Sequence, residues 1–128
     1  MSLIPSEQEL LTEFNGRISS ENMEKQSGWI VPTFENSWVN YVAGFATAGF
    51  FKDTLGFVHL RGLVKNGTVN TIIFTLPVGY RPALNLIYAT VASNTFARIT
   101  VYTNGEVKQA VGDNGFQSLD GIIFKAEA

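Results

Sequence analysis

The stretch FVHLRGLVKNGTVNTIIFTL, residues 57–76, holds two apolar runs rich in β-branched and aromatic residues on either side of an Asn-Gly pair. Such a pattern is typical of a β-hairpin. A two-residue loop at this pair would scatter the apolar side chains over both faces of the hairpin. A three-residue loop, residues 65–67 with its glycine left-handed, places Leu60 opposite Ile72 and gives one consistently apolar face. We therefore predict the longer loop.

A second Asn-Gly pair lies in residues 103–105, between runs rich in Val, Ile and Thr. A three-residue loop there pairs Val101 with Val107 and Ala97 with Val111, which again gives the hairpin one buried face. The two pairs thus predict two hairpins with the same kind of turn.

Further short runs of strand-forming residues fill the chain after Gly28, punctuated by Gly and Asn. Between two of them, Pro77 has no N–H for a strand ladder and Gly79 permits a reversal, so we predict a turn there. The predicted strands are Trp29–Val31, Trp38–Val42, Gly49–Thr54, Phe57–Lys65, Val69–Leu76, Leu84–Ala92, Phe96–Thr103, Glu106–Val111 and Ile122–Lys125. Eight or nine short strands suit an all-β fold, either a β-sandwich or a jelly roll.

Composition limits the classes of protein to which the chain can belong. With 128 residues, 45% hydrophobic and 16% charged, we expect one compact domain with its own core. The formal net charge of −2, without charged runs, argues against a nucleic-acid partner. The chain has no cysteine, and therefore no disulfide framework or thiolate metal site. No apolar run approaches the ~20 residues of a membrane-spanning helix, so we expect a soluble protein without membrane insertion or an export signal.

The amino-terminal residues differ in pattern from the rest, and we divide the chain into a helical segment, 1–27, and a β-sandwich domain, 28–128. Ser6 lies three residues before Glu9, a capping-box spacing that predicts the start of a short helix. An apolar stripe then follows, which consists of Leu10, Leu11, Phe14 and Ile18. This stripe can pack on its own domain or form a short self-associating stalk.

Residues with catalytic or metal-binding chemistry are few. His59 is the only histidine and has no carboxylate near it in sequence, so we predict an exposed or interface side chain and no metal site. The sequence has no Gly-x-Ser-x-Gly nucleophile motif and no glycine-rich phosphate loop, and we predict no cofactor. Glu106, Asp113 and Asp120 could serve a glycosidase, but turns favour the same residue types. We therefore predict no catalytic residue.

Saccharide recognition is the function that the aromatic and amide side chains suggest. Trp38 and Tyr41, with Asn40 between them, combine ring faces with an amide, which suits the C–H faces and hydroxyls of sugars. The same aromatic residues are found more often in a core or a subunit interface. Arg61 and Arg98 are predicted on outer strand faces, where they could bind an anionic polymer such as teichoic acid. The candidate saccharide-binding residues are Trp38, Asn40, Tyr41, His59, Arg61 and Arg98.

Five stretches, taken together in this order, resemble a known family. They are GWIVPTFENSWVNY (28–41), GFVHLRGLVKNGT (56–68), FTLPVGYRP (74–82), ITVYTNGEV (99–107) and SLDGIIFKAEA (118–128). The combined pattern is similar to the carboxy-terminal head domain of bacteriophage tail and baseplate proteins, which is also found in prophages of Gram-positive bacteria. The resemblance covers residues 28–128.

The resemblance implies a β-sandwich head that assembles as a homotrimer, with other tail or baseplate proteins as partners, at the tip of the virion tail. It also implies non-enzymatic recognition of saccharides on the host cell wall, and it carries over no binding residues. Two alternatives stay open: a purely structural tail component without a ligand, and a wall-polysaccharide hydrolase. Many relatives carry the head at the end of a much longer chain, whereas 27 residues precede it here.

Overall fold

The computed structural model of the protein describes residues 28–127, which form ten β-strands and no helix. The strands are β1 Val39–Asn40, β2 Gly49–Lys52, β3 Phe57–Arg61, β4 Leu63–Lys65, β5 Ile72–Thr75, β6 Leu86–Ala92, β7 Thr95–Val101, β8 Glu106–Val111, β9 Gln117–Ser118 and β10 Ile123–Lys125. All of their pairings are antiparallel. The predicted all-β class is confirmed, while the helix predicted from Ser6 lies outside the described residues.

The strands form two sheets that face each other. The small sheet has the order β10-β3-β2, and the large sheet has the order β1-β4-β9-β6-β7-β8-β5. Alternation along β3 turns Val58 and Leu60 inward, where each is at most 3% exposed. The ring of Phe50 in β2 stacks on the ring of Phe74 in β5, with centroids 6.2 Å apart, so both sheets contribute to one apolar core. The arrangement is β-sandwich-like, as predicted.

Burial of apolar side chains holds the two sheets together. Phe74, Ile99 and Leu119 are fully buried. Each such side chain contributes about 1.5–3 kcal/mol relative to an exposed one. Two amides share this interior, and Nε2 of Gln109 donates to Oε1 of Gln117 at 2.8 Å, which offsets the cost of removing both from water.

The predicted strand 57–65 is wrong as a single element, because it breaks at Gly62 into β3 and β4. Gly62 has a φ of +118°, and a Cβ there would lie 2.5 Å from Cα of Ala48. The N–H of Gly62 donates to the carboxylate of Asp120 at 2.8 Å. The chain therefore crosses from the small sheet to the large sheet at this glycine.

The hairpin predicted within residues 57–76 is also wrong. β4 pairs with β1 and β9, whereas β5 pairs with β8. Leu60 consequently lies opposite Phe50 rather than Ile72. Because the chain changes sheets before the Asn-Gly pair, the two apolar runs cannot be partners.

The turn at this pair also has a different conformation from the predicted one. Asn66, with φ 67°, is the left-handed residue, and Gly67 is not. Gly67 is required for space, since a Cβ on it would lie 1.9 Å from the ring of Trp38. The side chain of Trp38, which directly precedes β1, therefore determines that this position of the turn is a glycine.

The second hairpin, β7 with β8, has the predicted turn. Gly105 is left-handed at φ 92°, and Val101 lies opposite Val107. The predicted pairing of Ala97 with Val111 is wrong, because a bulge shifts the register by one residue and places Arg98 opposite Val111. The predicted loop is thus confirmed, whereas the predicted pairing at the end of the hairpin away from the loop is wrong.

Smaller differences concern the ends of the sheets. The predicted strand Trp29–Val31 is reduced to a bridge between Ile30 and Phe50, and β9 was not predicted. The turn expected after Pro77 is present: the N–H of Tyr80 donates to the carbonyl of Pro77 at 3.1 Å, and Gly79 has φ 95°. Among residues 28–127 there is no helix that could cross a membrane.

Candidate functional site

A groove lies on the outer face of the large sheet, where the edge strand β5 meets β8. Ile72 of β5 is opposite Lys108 of β8, whose neighbours Val107 and Gln109 point into the core. Tyr102 follows β7 and is joined to the start of β8 by a backbone hydrogen bond of 2.9 Å. The groove has a volume of about 330 Å³ and is lined by Asn36, Asn70, Thr71, Ile72, Tyr102, Glu106 and Lys108.

Two loop segments carry amide and hydroxyl groups into the groove, and the core fixes both. Nδ2 of Asn36 donates to a backbone carbonyl of β5 at 2.8 Å. Asn70 is left-handed at φ 63°, and its N–H donates at 3.1 Å to Oε1 of the buried Gln109. The hydroxyl of Thr71 accepts a hydrogen bond of 3.2 Å from Nε1 of Trp38. Asn70 and Thr71 are therefore attached to buried side chains, and Asn36 is attached to the backbone of the edge strand.

The groove combines an aromatic ring with groups of both charges. Glu106 and Lys108 lie two residues apart on β8 and so share its outer face. Nδ2 of Asn104 donates to Oε1 of Glu106 at 3.0 Å, while Lys108 has no polar partner among residues 28–127. A volume of this size is at the lower end of the ~300–1,000 Å³ of small-ligand sites. Such a lining can donate to and accept from hydroxyl groups while Tyr102 covers a C–H surface.

The outer face of the small sheet carries a second group of candidate residues, stacked in a row. Cζ of Arg61 lies 4.4 Å from the ring centroid of Trp29. Trp29 meets Phe51 edge to face at 4.5 Å, and Phe51 stacks on His59 at 4.6 Å with 5° between the ring planes. We call these four residues the aromatic row. The ring faces in this row largely pack against neighbouring members of the row, so a ligand would contact the ring edges.

An aspartate ends the aromatic row. Oδ2 of Asp53 lies 2.9 Å from Nε2 of His59, so the fold places beside the histidine a carboxylate from six residues earlier in the chain. The hydrogen bond with His59 lowers the pKa of Asp53, and the N–H groups of Phe57 and Leu55 lower it further. No group of three or more His, Asp or Glu side chains within residues 28–127 is arranged to hold a metal ion.

Two of the predicted saccharide-binding residues have structural roles. Trp38 is 1% exposed, with its ring against Gly67. Oδ1 of Asn40 accepts a hydrogen bond of 2.8 Å from the N–H of Ala48. The buried indole presents no free ring face, and the side-chain oxygen of Asn40 is used within its own chain.

The other four predicted residues are distributed over three places. Only His59 and Arg61 are brought together, in the aromatic row. Tyr41 lies elsewhere, with Phe45 and Phe116 edge to face at 5.5 and 6.1 Å. Arg98 lies in the middle of the large sheet's outer face. Their saccharide-binding role stays a prediction.

The three carboxylates considered for catalysis serve turns or the groove. Asp120 accepts from Gly62, as described above. Oδ1 of Asp113 accepts from the N–H of Gly115 at 2.6 Å and from the hydroxyl of Ser93 at 3.1 Å, and these bonds lower the pKa of Asp113. Glu106 alone faces the groove.

Sequence reasoning missed most of the groove. Glu106 and Lys108 share a strand face, and Tyr102 precedes a recognisable turn, so this part was accessible from the alternation of β8. Asn36 and Asn70 are brought together by the pairing of β5 with β8 and by the burial of Trp38. Neither of these long-range features has a local sequence signal.

Comparisons with known proteins bear on the fold. No protein-family model matches the sequence. No curated protein matches it either. Among solved structures, the chain is similar to the receptor binding protein (gp15) of Listeria phage PSA, with a TM-score of 0.73 and 20% sequence identity; the match covers 100% of this chain and 82% of that chain. The resemblance to phage head domains is thus confirmed at the level of the fold.

Proposed function

We propose that the protein is a receptor-binding component of a bacteriophage tail and that it recognises saccharides of the host cell wall without an enzymatic step. The fold shared with the receptor binding protein of Listeria phage PSA supports the tail role. The observation that carries saccharide recognition is the groove, whose lining provides an aromatic ring, amides and both charges.

The groove suits a sugar for physical reasons. A pyranose ring has an apolar face that can lie on Tyr102, and hydroxyls that exchange hydrogen bonds with Asn70 and Glu106. Lys108 has no polar partner within the described chain, so it can meet an anionic substituent without first breaking an ion pair. Recognition of an uncharged or anionic wall saccharide is the function that this lining supports best.

We further propose that the protein acts as a homotrimer at the virion tail, together with other tail or baseplate proteins. The resemblance of residues 28–128 to phage head domains supports this assembly. Three copies would have about three times the 14.0 kDa of one chain.

A binding experiment tests the proposed function. Purified protein is titrated with cell-wall fragments from a panel of Gram-positive bacteria, and with wall polysaccharide and teichoic acid isolated from them. Tyr102→Ala and Lys108→Ala are each expected to weaken binding about tenfold, as loss of one good stacking or charged contact does. Lys125→Ala, on the small sheet, is the matched control and should bind like the unaltered protein. Absence of binding to every wall preparation would contradict the proposal.

The same titration decides between the two candidate surfaces. If Arg61→Ala abolishes binding while Tyr102→Ala does not, the saccharide site is the aromatic row. Tyr102→Phe separates the ring from the hydroxyl: retained binding would assign the contact to stacking, and lost binding would assign it to the phenol.

A purely structural role in the tail is the second candidate, and one observation favours it. Large apolar side chains are exposed on the outer face of the large sheet, including Ile87 and Phe96 at 67% and 59%. Such surfaces are typical of contacts between proteins. Phage particles that lack the protein would fail to assemble under this alternative, whereas under the main proposal they would assemble and fail to adsorb.

A further inference from the structure

Three Asn-Gly pairs lie in the described part of the chain, and the same chemical change is open to each. They are Asn66-Gly67, Asn104-Gly105 and Asn114-Gly115. Glycine has no side chain to hinder the approach of its backbone nitrogen to the amide carbon of the preceding asparagine. All three asparagines are exposed to solvent. Dipeptide sequence and exposure therefore do not distinguish the pairs, and their hydrogen bonds do.

At Asn104-Gly105 the groups that would react are already bound. The N–H of Gly105 donates to the carbonyl of Tyr102 at 2.9 Å. Both polar atoms of the Asn104 side chain bond to Glu106: Oδ1 accepts from its N–H at 3.1 Å, and Nδ2 donates to its Oε1 at 3.0 Å. These bonds hold the amide carbon away from the glycine nitrogen, so they must open before an attack.

The pair Asn114-Gly115 is bound in a similar way. The N–H of Gly115 donates to Oδ1 of Asp113 at 2.6 Å. Nδ2 of Asn114 donates to the carbonyl of Gly67 at 3.0 Å. The carboxylate of Asp113 also disfavours loss of the proton from the Gly115 nitrogen, because that loss would create a second negative charge beside it. This pair is therefore protected as well.

The pair Asn66-Gly67 lacks both restraints. The side-chain amide of Asn66 has no polar partner within residues 28–127, and the N–H of Gly67 has no acceptor there. The turn is held instead by the N–H of Asn66, by the carbonyl of Gly67 and by the ring of Trp38. A backbone N–H without a protein acceptor is nearly always bonded to water. The Gly67 nitrogen can therefore lose its proton to solvent.

We propose that Asn66 is a site of spontaneous deamidation in the folded protein. The nitrogen of Gly67 loses its proton to water or hydroxide and forms a bond to Cγ of Asn66. The bond from Cγ to Nδ2 breaks, and Nδ2 takes up a proton and leaves as ammonia. Water then opens the resulting cyclic imide: attack at Cγ gives an aspartate, and attack at the main-chain carbonyl carbon gives an isoaspartate. The reaction consumes water and needs no oxidant or reductant.

The isoaspartate would disturb the turn that borders the groove. It adds a carbon atom to the main chain directly before Gly67, where even a single Cβ would lie 1.9 Å from the ring of Trp38. The carbonyl of Asn36, which lines the groove, accepts a hydrogen bond of 3.0 Å from the N–H of Thr68. A displaced turn would therefore alter the groove wall as the protein ages. The chemical change itself does not depend on the proposed function.

Peptide mapping by mass spectrometry tests the proposal. The full chain is kept at near-neutral pH, folded in buffer and unfolded in guanidinium chloride, and conversion of each asparagine is followed over time. The unfolded sample gives the rate that neighbouring residues alone allow. In the folded protein, Asn66 is expected to react about tenfold or more faster than Asn104 and Asn114, relative to the unfolded rates, because bonds at the other two must open first. A relative rate at Asn66 that does not exceed both of the others would overturn the proposal.

Asn66→Gly is the matched variant for the consequence of the reaction. Asn66 has φ 67°, a conformation that glycine adopts readily, and the substitution removes the amide that reacts. On storage, the unaltered protein is expected to lose resistance to urea as its modified fraction grows, whereas Asn66→Gly keeps its initial resistance over the same period. An equal loss in the stored variant would assign the ageing to another residue and overturn the role given to Asn66.

Discussion

Two Asn-Gly pairs of the chain form turns that are closed in different ways. At Asn104-Gly105 the turn is local: the N–H of Gly105 donates to the carbonyl of Tyr102 at 2.9 Å, and the N–H of Glu106 donates to Oδ1 of Asn104 at 3.1 Å. The glycine takes the left-handed conformation, and the two flanking strands pair with each other.

At Asn66-Gly67 the contacts come from far along the chain. The N–H of Asn66 donates to the carbonyl of Asn114 at 2.9 Å, and Nδ2 of Asn114 donates to the carbonyl of Gly67 at 3.0 Å. The ring of Trp38 covers the glycine. Here the asparagine is left-handed and the glycine provides space.

The difference shows that one dipeptide can serve two physical needs. In the hairpin, glycine is present because the backbone requires a positive φ. In the other turn, glycine is present because a buried ring requires its missing side chain. The groove uses both turns: Tyr102 and Glu106 flank the local turn, whereas Asn36, whose carbonyl accepts from the N–H of Thr68, lies beside the turn at Asn66-Gly67, which we call the tertiary turn.

The largest expected effect comes from Gly67→Ala. The new Cβ would lie 1.9–2.2 Å from three ring atoms of Trp38, which is 1% exposed and cannot move aside. We expect a loss of about 3 kcal/mol or more in the free energy of unfolding. Urea denaturation measures it. In a Trp38→Ala background, the same substitution should cost less than about 1 kcal/mol, and equal costs in the two backgrounds would show that the ring is not the cause.

Gly105→Ala has the next largest expected effect, and its cause is different. A left-handed alanine costs about 1–2 kcal/mol, and its Cβ would also lie 2.3 Å from the carbonyl oxygen of Leu76, so we expect a total loss of about 2–3 kcal/mol. Gly79→Ala is the control for backbone conformation, because Gly79 has φ 95° and open space around it. If both substitutions cost the same in urea denaturation, the contact with Leu76 contributes nothing.

Trp38→Phe weakens the tertiary turn more mildly. It removes the hydrogen bond from Nε1 to the hydroxyl of Thr71 and part of the buried ring, and we expect a loss of about 2 kcal/mol. Because Thr71 lines the groove, wall binding should also weaken, whereas the hairpin at Gly105 should keep its amide protection. Hydrogen exchange of the Gly105 amide checks this, and loss of protection there would mean that the two turns are not independent.

These contacts also explain which parts of the fold the sequence reveals. The all-β class, the turn after Pro77 and the loop of the second hairpin follow from alternation and turn chemistry, which are local. The sheet change at Gly62 does not, since it depends on the backbone of Ala48 lying against that glycine. The bulge that shifts Arg98 against Val111 has no signal in the strand pattern either.

The candidate site was less predictable than the fold for the same reason. The stretch around Trp38 was selected because aromatic and amide residues are adjacent in sequence, but alternation and burial separate them in space: Trp38 enters the core and Asn40 binds the backbone of Ala48. The groove instead uses Asn70 and Tyr102, which lie on different loops. Their proximity is a consequence of strand order.

The smallest expected effect concerns acid pH and acts only on the tertiary turn. Asp113 accepts from Gly115 and Ser93, which lowers its pKa and holds the segment that carries Asn114. Because the folded pKa lies below the ordinary value, folding favours the carboxylate; the stabilisation is complete above the ordinary pKa and is lost as the pH falls through the folded one.

The amide of Asn66, which donates to Asn114, reports this loss locally. Its chemical shift in NMR spectra should titrate with Asp113, while the shift of the Gly105 amide should not follow that titration. Asp113→Asn keeps the oxygen that accepts from Gly115 and removes the ionisation, so the Asn66 amide should become insensitive to acid in that variant. The local readout is needed because Asp53 has a lowered pKa too and contributes to any global acid transition. A titrating Asn66 amide in Asp113→Asn would assign the acid sensitivity to another group and remove the proposed connection between Asp113 and the tertiary turn.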